Sequence, residues 1–126
     1  MLNQSEVCGY ARVADLPRAR AFYEDVLRMH PAWESEAGVL YECGRGSKFF
    51  MHCVAGVAVT AAGMLFFEVA DIGMVIATLT ARGVTFERGE HPVVKQLADV
   101  LSGGAGAKVA WLKDPDGNTL ALLQTA

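Results

Sequence analysis

Apolar positions along the chain follow two periods in succession. From Val7 to Val13 small apolar residues dominate, and from Ala19 through Phe22, Tyr23 and Val26 to Leu27 they recur at i, i+3, i+4, i+7 and i+8. The first stretch predicts a strand and the second a helix with one buried face. Asp15 stands where the N-cap belongs and Pro17 falls in the first turn. A carboxylate there accepts a backbone N–H and suits the positive end of the helix dipole, while proline at that point loses no intrahelical bond. The device recurs over Met64–Gly83. Val69-Ala70-Asp71 repeats Val13-Ala14-Asp15 at an offset of 56 (69 − 13), and Ile72, Val75, Ile76 and Leu79 repeat the stripe up to Gly83 at a C-cap position.

The remaining segments predict strands. Ala32–Glu36 around Trp33, Gly38–Cys43 and Lys48–Val54 follow the first helix, the last two joined by a turn at Gly44–Ser47. Residues 55–63 are small and connect the halves. After the second helix, Val84–Arg88 predicts a strand and Gly89–Ala107 a long loop. Lys108–Lys113 and Thr119–Leu123 then form a hairpin about Asp114-Pro115-Asp116-Gly117-Asn118, whose proline and glycine suit a type I turn. Val39, Tyr41, Gly46 and Met51 match Val109, Trp111, Asp116 and Ala121 at an offset of 70 (109 − 39). The organisation expected is a single domain over residues 1–126 made of two tandem βαβββ modules, about 5–56 and 62–126. Each is small for a core of its own, so the halves are expected to pack together.

Composition narrows the partners. The chain has 126 residues, 52% hydrophobic and 20% charged, with a net charge of −3. A sizeable core is available, and nothing in the charge favours nucleic acid or an anionic membrane as partner. MLNQSEV lacks the basic start and apolar run of a secretory signal. The most apolar window, Cys53–Phe67, falls short of the roughly 20 residues a membrane-spanning helix needs. Cys8, Cys43 and Cys53 are an odd set without metal-type spacing, which suits reduced thiols and a cytoplasmic location.

Val13-x-Asp15, Ala21-Phe22-Tyr23-x-Asp25-Val26-Leu27, Ala81-Arg82-Gly83-Val84-x-Phe86 and Asp114-Pro115-Asp116-Gly117-Asn118 together resemble the vicinal oxygen chelate superfamily, which includes glyoxalase I, extradiol dioxygenases and bleomycin-resistance proteins. The resemblance implies an α+β fold of two βαβββ modules forming a curved, incomplete mixed-sheet barrel around a cleft, and a homodimer. Family enzymes place metal ligands five residues before the conserved Val, as His or Gln, and as Glu on the closing strand of each module. Carried over, those positions read Cys8, Met51, Met64 and Ala121. Hard divalent ions want oxygen or imidazole donors, so no metal and no other cofactor is expected.

Alternation along the strands then selects the candidate site. Cys8, Tyr10 and Arg12 are expected to face the cleft, as are Met64, Phe66 and Glu68. The same expectation covers Phe49, Met51, Cys53, Thr119, Ala121 and Leu123. Trp33, Tyr41 and Trp111 are candidates to stack a planar ligand at its mouth. The ligand-binding set is thus Cys8, Tyr10, Arg12, Phe49, Met51, Met64, Phe66, Glu68, Trp111 and Ala121, weighed against side chains that merely fill a barrel. Arg12 and Glu68 occupy equivalent repeat positions, where an ion pair between halves is the plainer role. Glu68 as a base and Cys8 as a nucleophile are the catalytic candidates, although no histidine of matching parity accompanies Cys8. His52 is expected to pack under the helix, and His30 and His91 to lie in loops beside prolines.

These features favour metal-independent binding or sequestration of a mainly apolar or planar small molecule. One alternative is a metal-dependent lyase, isomerase or dioxygenase with a rearranged set such as His52, Glu68 and Cys8. Another is a non-catalytic structural subunit.

Overall fold

A computed structural model describes residues 1–54, 62–101 and 107–125. Most of the expected connection at 55–63, and part of the expected loop at 89–107, lie outside the described residues. The chain divides into two compact units. One is Met1–Gly63 with Pro115–Asn118, the other Met64–Asp114 with Thr119–Ala126.

In the first unit a short 3-10 turn, Leu2–Gln4, precedes strand β1 (Cys8–Val13). Helix α1 (Leu16–Arg20) continues as a π-helical segment, Ala21–Val26. The Asp15 carboxylate accepts the Arg18 N–H at 3.1 Å, which is the expected cap. Strands β2 (His30–Ser35), β3 (Gly38–Glu42) and β4 (Lys48–Cys53) complete a sheet of order β1-β4-β3-β2. β1 pairs with β4 in parallel and the other neighbours are antiparallel. Helix and sheet enclose Ala11, Val13, Ala19, Tyr23, Val39, Tyr41, Phe49 and Met51, all buried. Tyr23 stacks on Tyr41 at 6.1 Å between ring centroids and lies 5.2 Å from Phe49. Gly38 is required where β3 meets β4, since a Cβ there would fall on the Met51 backbone oxygen.

The turn at Asp114-Pro115-Asp116-Gly117-Asn118 does more than reverse a hairpin. β1 is an edge strand, and Asn118, 1% exposed, donates through Nδ2 to the Arg12 carbonyl at 2.9 Å. Its Oδ1 accepts the Gly63 N–H at 2.8 Å. Asp116 Oδ1 accepts the Ala14 N–H at 2.9 Å. The Arg12 carbonyl and the Ala14 N–H at the sheet edge are thus satisfied by side chains about a hundred residues away in sequence.

The second unit holds β5 (Met64–Glu68), α2 (Ile72–Ala81), α3 (Pro92–Leu101), β6 (Lys108–Lys113) and β7 (Thr119–Gln124), with sheet order β5-β7-β6. Asp71 caps α2 by accepting the Met74 N–H at 3.1 Å. Neither sheet closes on itself into a barrel, and the fold is α+β with mixed sheets of four and three strands.

Two expectations fail here. Val84–Arg88 forms no strand. Left-handed Gly83 and Gly89 bound the segment, and it keeps a single ladder-type bond, Glu87 N–H to the Trp111 carbonyl at 2.9 Å. The expected loop contains α3 instead. His91 caps that helix through Nδ1, which accepts the Val93 and Val94 N–H groups at 3.2 and 3.4 Å. Pro92 opens the helix, and Val94 and Ala98 are buried.

Candidate functional site

The first sheet has one face under its helix and one face left open, and sheet register decides which side chains lie where. Tyr10 pairs with Phe50, Arg12 with His52 and Cys8 with Lys48 across β1 and β4. Leu40 pairs with Phe50 and with Trp33. Paired residues share a face, so Cys8, Tyr10, Arg12, Phe50, His52, Leu40 and Trp33 line the open side.

These side chains form an aromatic shelf. The Phe50 ring lies 6.5 Å from Tyr10, 6.4 Å from Trp33 and 5.5 Å from His52, centroid to centroid. Tyr10 and Trp33 are 52% and 55% exposed, unusual for rings gathered on one sheet face. The Tyr10 hydroxyl and His52 Nδ1 are 2.6 Å apart, a short hydrogen bond between side chains distant in sequence. At one end of the shelf Lys48 is paired with Glu6 at 2.7 Å, which raises the ammonium and lowers the carboxyl from their ordinary values. At the other end Arg12 is half-buried and has no ion pair among the described residues.

The orientation expected of Phe49, Met51 and Cys53 is therefore corrected. Phe49 and Met51 are buried under the helix, Met51 level with Ala11, and Cys53 pairs with Val13 on that same side. His52, expected to pack, is on the open face. Tyr41, expected at a cleft mouth, is buried, with its hydroxyl donating to Glu24 at 2.9 Å. Burial first, then Glu24, pushes its phenol well above the ordinary range. Arg20 grips Glu24 at 2.6 and 3.1 Å and holds that carboxyl below its usual range.

The cause is a slip of one residue. Lys48 pairs with Cys8 as Thr119 pairs with Met64, so the closing strands match at an offset of 71 (119 − 48), not 70. Gly46 and Gly117, both left-handed at φ +76° and +85°, match at that same offset. A one-residue slip in a strand moves every side chain to the other face. Aligning glycine on glycine, rather than Gly46 on Asp116, would have found Phe50 and His52.

In the second unit Met64, Phe66 and Glu68 share one sheet face with Thr119, Ala121 and Leu123, and those three β7 residues are buried. Phe66 is 50% exposed and Ala121 buried. Glu68 is exposed and accepts from the Thr125 hydroxyl at 3.3 Å. Trp111 donates to the Gly89 carbonyl at 3.4 Å and meets the His91 ring edge-on at 5.0 Å. It borders a cavity of about 360 Å³ between α3 and β6, where Glu87, Glu90, Lys95 and Asp99 add polar groups.

The chain matches the family model described as Glyoxalase/Bleomycin resistance protein/Dioxygenase superfamily over residues 6–122. It belongs to that superfamily. Among solved structures it is similar to a glyoxalase/bleomycin resistance protein from Catenulispora acidiphila DSM 44928, at 20% identity and TM-score 0.72, covering 96% of this chain and 98% of that one. It is also similar to lactoylglutathione lyase from Agrobacterium tumefaciens, at 17% identity and TM-score 0.71, covering 96% and 93%. An integron cassette protein from the mobile metagenome of a Halifax Harbour sewage outfall shares 17% identity at TM-score 0.72, over 96% and 98%. Identities this low speak for the fold alone. No curated protein matches the sequence.

With the register corrected, the positions at which superfamily enzymes carry metal ligands read Cys8 and Phe50 in the first unit and Met64 and Ala121 in the second. A thiol, a phenyl ring, a thioether and a methyl do not fit a hard divalent ion. The rearranged set does no better. Cys8 and His52 lie four residues apart along β1 and β4, about 13 Å at the rise of a strand, and His52 Nδ1 is engaged by Tyr10. Cys8 is exposed, with its thiol donating to the Gly9 carbonyl at 3.3 Å. Among the described residues no cluster of three or more His, Cys, Asp or Glu side chains has the geometry of a metal site.

Proposed function

We propose that the protein binds a planar aromatic small molecule on the open face of its first sheet, without a metal. The observation that carries this reading is the exposed shelf of Tyr10, Phe50, Trp33 and His52. Flat rings spaced about 6.5 Å apart offer stacking and edge contacts to a bicyclic ligand spanning two of them. Burying such a ligand against Phe50 and Trp33 removes apolar area from water at about 25 cal/mol per Å². The Tyr10–His52 hydrogen bond supplies a polar group at the edge of an otherwise apolar surface, as small-molecule sites commonly do.

The reading extends to a cytoplasmic homodimer, with neither nucleic acid nor membrane as partner. Membership of a superfamily known from the resemblance for dimers supports the first, and a net charge of −3 the second. Among the described residues no helix is long and apolar enough to cross a membrane.

The test is a fluorescence titration with 2-naphthamide, in a Trp111→Phe chain so that Trp33 alone reports. Saturable quenching is expected, weakened at least tenfold by Phe50→Ala. No saturable signal, or equal binding by Phe50→Ala, overturns the shelf. One tightly held divalent ion per chain that binding requires, found by dialysis with elemental analysis, overturns the metal-free reading.

A further inference from the structure

Resting on that reading, we infer that the ligand is an aromatic carboxylate, its acid group seated on Arg12. Arg12 stands beside His52 on the open face of β1, two residues, or about 6.6 Å of strand, beyond Tyr10. Its guanidinium has no ion pair among the described residues, whereas Arg18, Arg20, Lys48 and Lys95 each face a carboxylate. Residues 55–61, 102–106 and 126, outside the described residues, include no Asp or Glu, so they bring no acidic side chain to it.

A half-buried guanidinium with no counter-charge is an anion site by its chemistry. Its planar fork matches a carboxylate through two parallel hydrogen bonds. The backbone that carries it is fixed, because the Asn118 amide holds the Arg12 carbonyl and Asp116 holds the next N–H but one. A polar pair lies alongside, the Tyr10 hydroxyl and His52 Nδ1 sharing a hydrogen bond at 2.6 Å. An aryl ring over Phe50 and Tyr10 therefore places its substituent beside a guanidinium. A neutral ring would leave that charge unmatched, and a cationic one would meet repulsion. The shelf thus selects by charge as well as by shape.

Three probes of one shape test this: 2-naphthoate, the neutral 2-naphthamide and the cationic 2-naphthamidine, each titrated against the intact protein by calorimetry. Naphthoate is expected to bind at least tenfold more tightly than naphthamide, with naphthamidine weakest. In Arg12→Gln the acid and the amide are expected to bind alike, while Arg12→Lys recovers part of the preference. Naphthoate and naphthamide binding equally to the parent chain overturns the inference and leaves the shelf standing. A preference that survives Arg12→Gln also overturns it. If none of the three binds, the shelf itself fails and the inference with it. Thermal midpoints of the Arg12 variants within a few degrees of the parent distinguish lost recognition from lost folding.

Discussion

Replacing Asn118 by alanine removes both hydrogen bonds by which this side chain holds the edge of the first unit. The Arg12 carbonyl loses its donor at 2.9 Å, and the Gly63 N–H loses its acceptor at 2.8 Å. The two partners fix the amide's orientation, since a carbonyl needs the NH₂ and an N–H needs the oxygen. A neutral hydrogen bond is worth about 1 kcal/mol net, but a buried partner left unsatisfied costs about 1–3 kcal/mol. Asn118 is 1% exposed, so the orphan penalty dominates, tempered by water entering the space left behind. The expected loss is about 2–4 kcal/mol. With an unfolding entropy of about 2.1 cal/mol/K per residue over 126 residues, each kcal/mol is about 4 °C, so the midpoint should fall by roughly 8–15 °C. Asn118→Asp should lose at least as much, because an oxygen would then face the Arg12 carbonyl. Urea denaturation followed by circular dichroism gives the free energy, with exposed Gln96→Ala as a control expected within about 0.5 kcal/mol of the parent. Native-state amide exchange localises it: the Gly63 amide should exchange faster while Ala14, held by Asp116, stays protected. A loss under about 0.5 kcal/mol, or Gly63 and Ala14 responding alike, would refute the account of the turn as a pin.

Three further outcomes are expected. Arg20 holds the Glu24 carboxyl below its ordinary value of 4.5, so its contribution is present above that pH and lost as pH falls through the lower folded-state value. The stability gap between parent and Glu24→Gln should be constant from pH 6 to 8 and shrink below pH 4.5 in urea melts. A gap that widens on acidification would contradict the pairing. Arg28 ends the first helix in the left-handed region at φ +61°, where a side chain costs about 1 kcal/mol against glycine, so Arg28→Gly should raise stability by about 0.5–1 kcal/mol in the same assay. Iodoacetamide with peptide mapping should label exposed Cys8 first. Cys43, whose thiol is raised by burial and then by Glu42, should react only as pH climbs well above neutrality.

The strand–helix units were legible because several local signals coincide at each. At Asp15 and Asp71 the cap residue, the apolar stripe and the preceding strand all agree, and both carboxylates accept the N–H three residues on. The second half was harder to read where tertiary contacts override local pattern. Val84–Arg88 has the composition of a strand, but left-handed glycines at both ends and α3 packed on β6 leave it one ladder bond. The start of α3 did leave a trace, a His-Pro pair followed by Val94, Leu97, Ala98 and Leu101 at helical spacing. What local reading lacked there was a histidine acting as the cap through its ring nitrogen, which is no usual N-cap residue.

The orientation of β4 failed in a more instructive way, since its strand was recognised and only its register was wrong. An error of one in a helix turns a side chain by about 100°, and its neighbours at i+3 and i+4 still share much of its surface. The same error in a strand exchanges the two faces completely. Met51 and His52 are adjacent, yet one is buried under the helix and the other bonds to Tyr10 in the open. What breaks the tie is backbone geometry rather than hydropathy. Apolar residues occur on both faces of β4, so burial preference cannot choose between the two registers, whereas a left-handed turn position tolerates glycine far better than aspartate. Gly46 and Gly117 therefore carry more register information than the apolar residues beside them. For a duplicated sheet, matching turn glycines before matching strands is the physically sounder order. In this chain it converts a sulfur-lined guess into an aromatic shelf with a charged end.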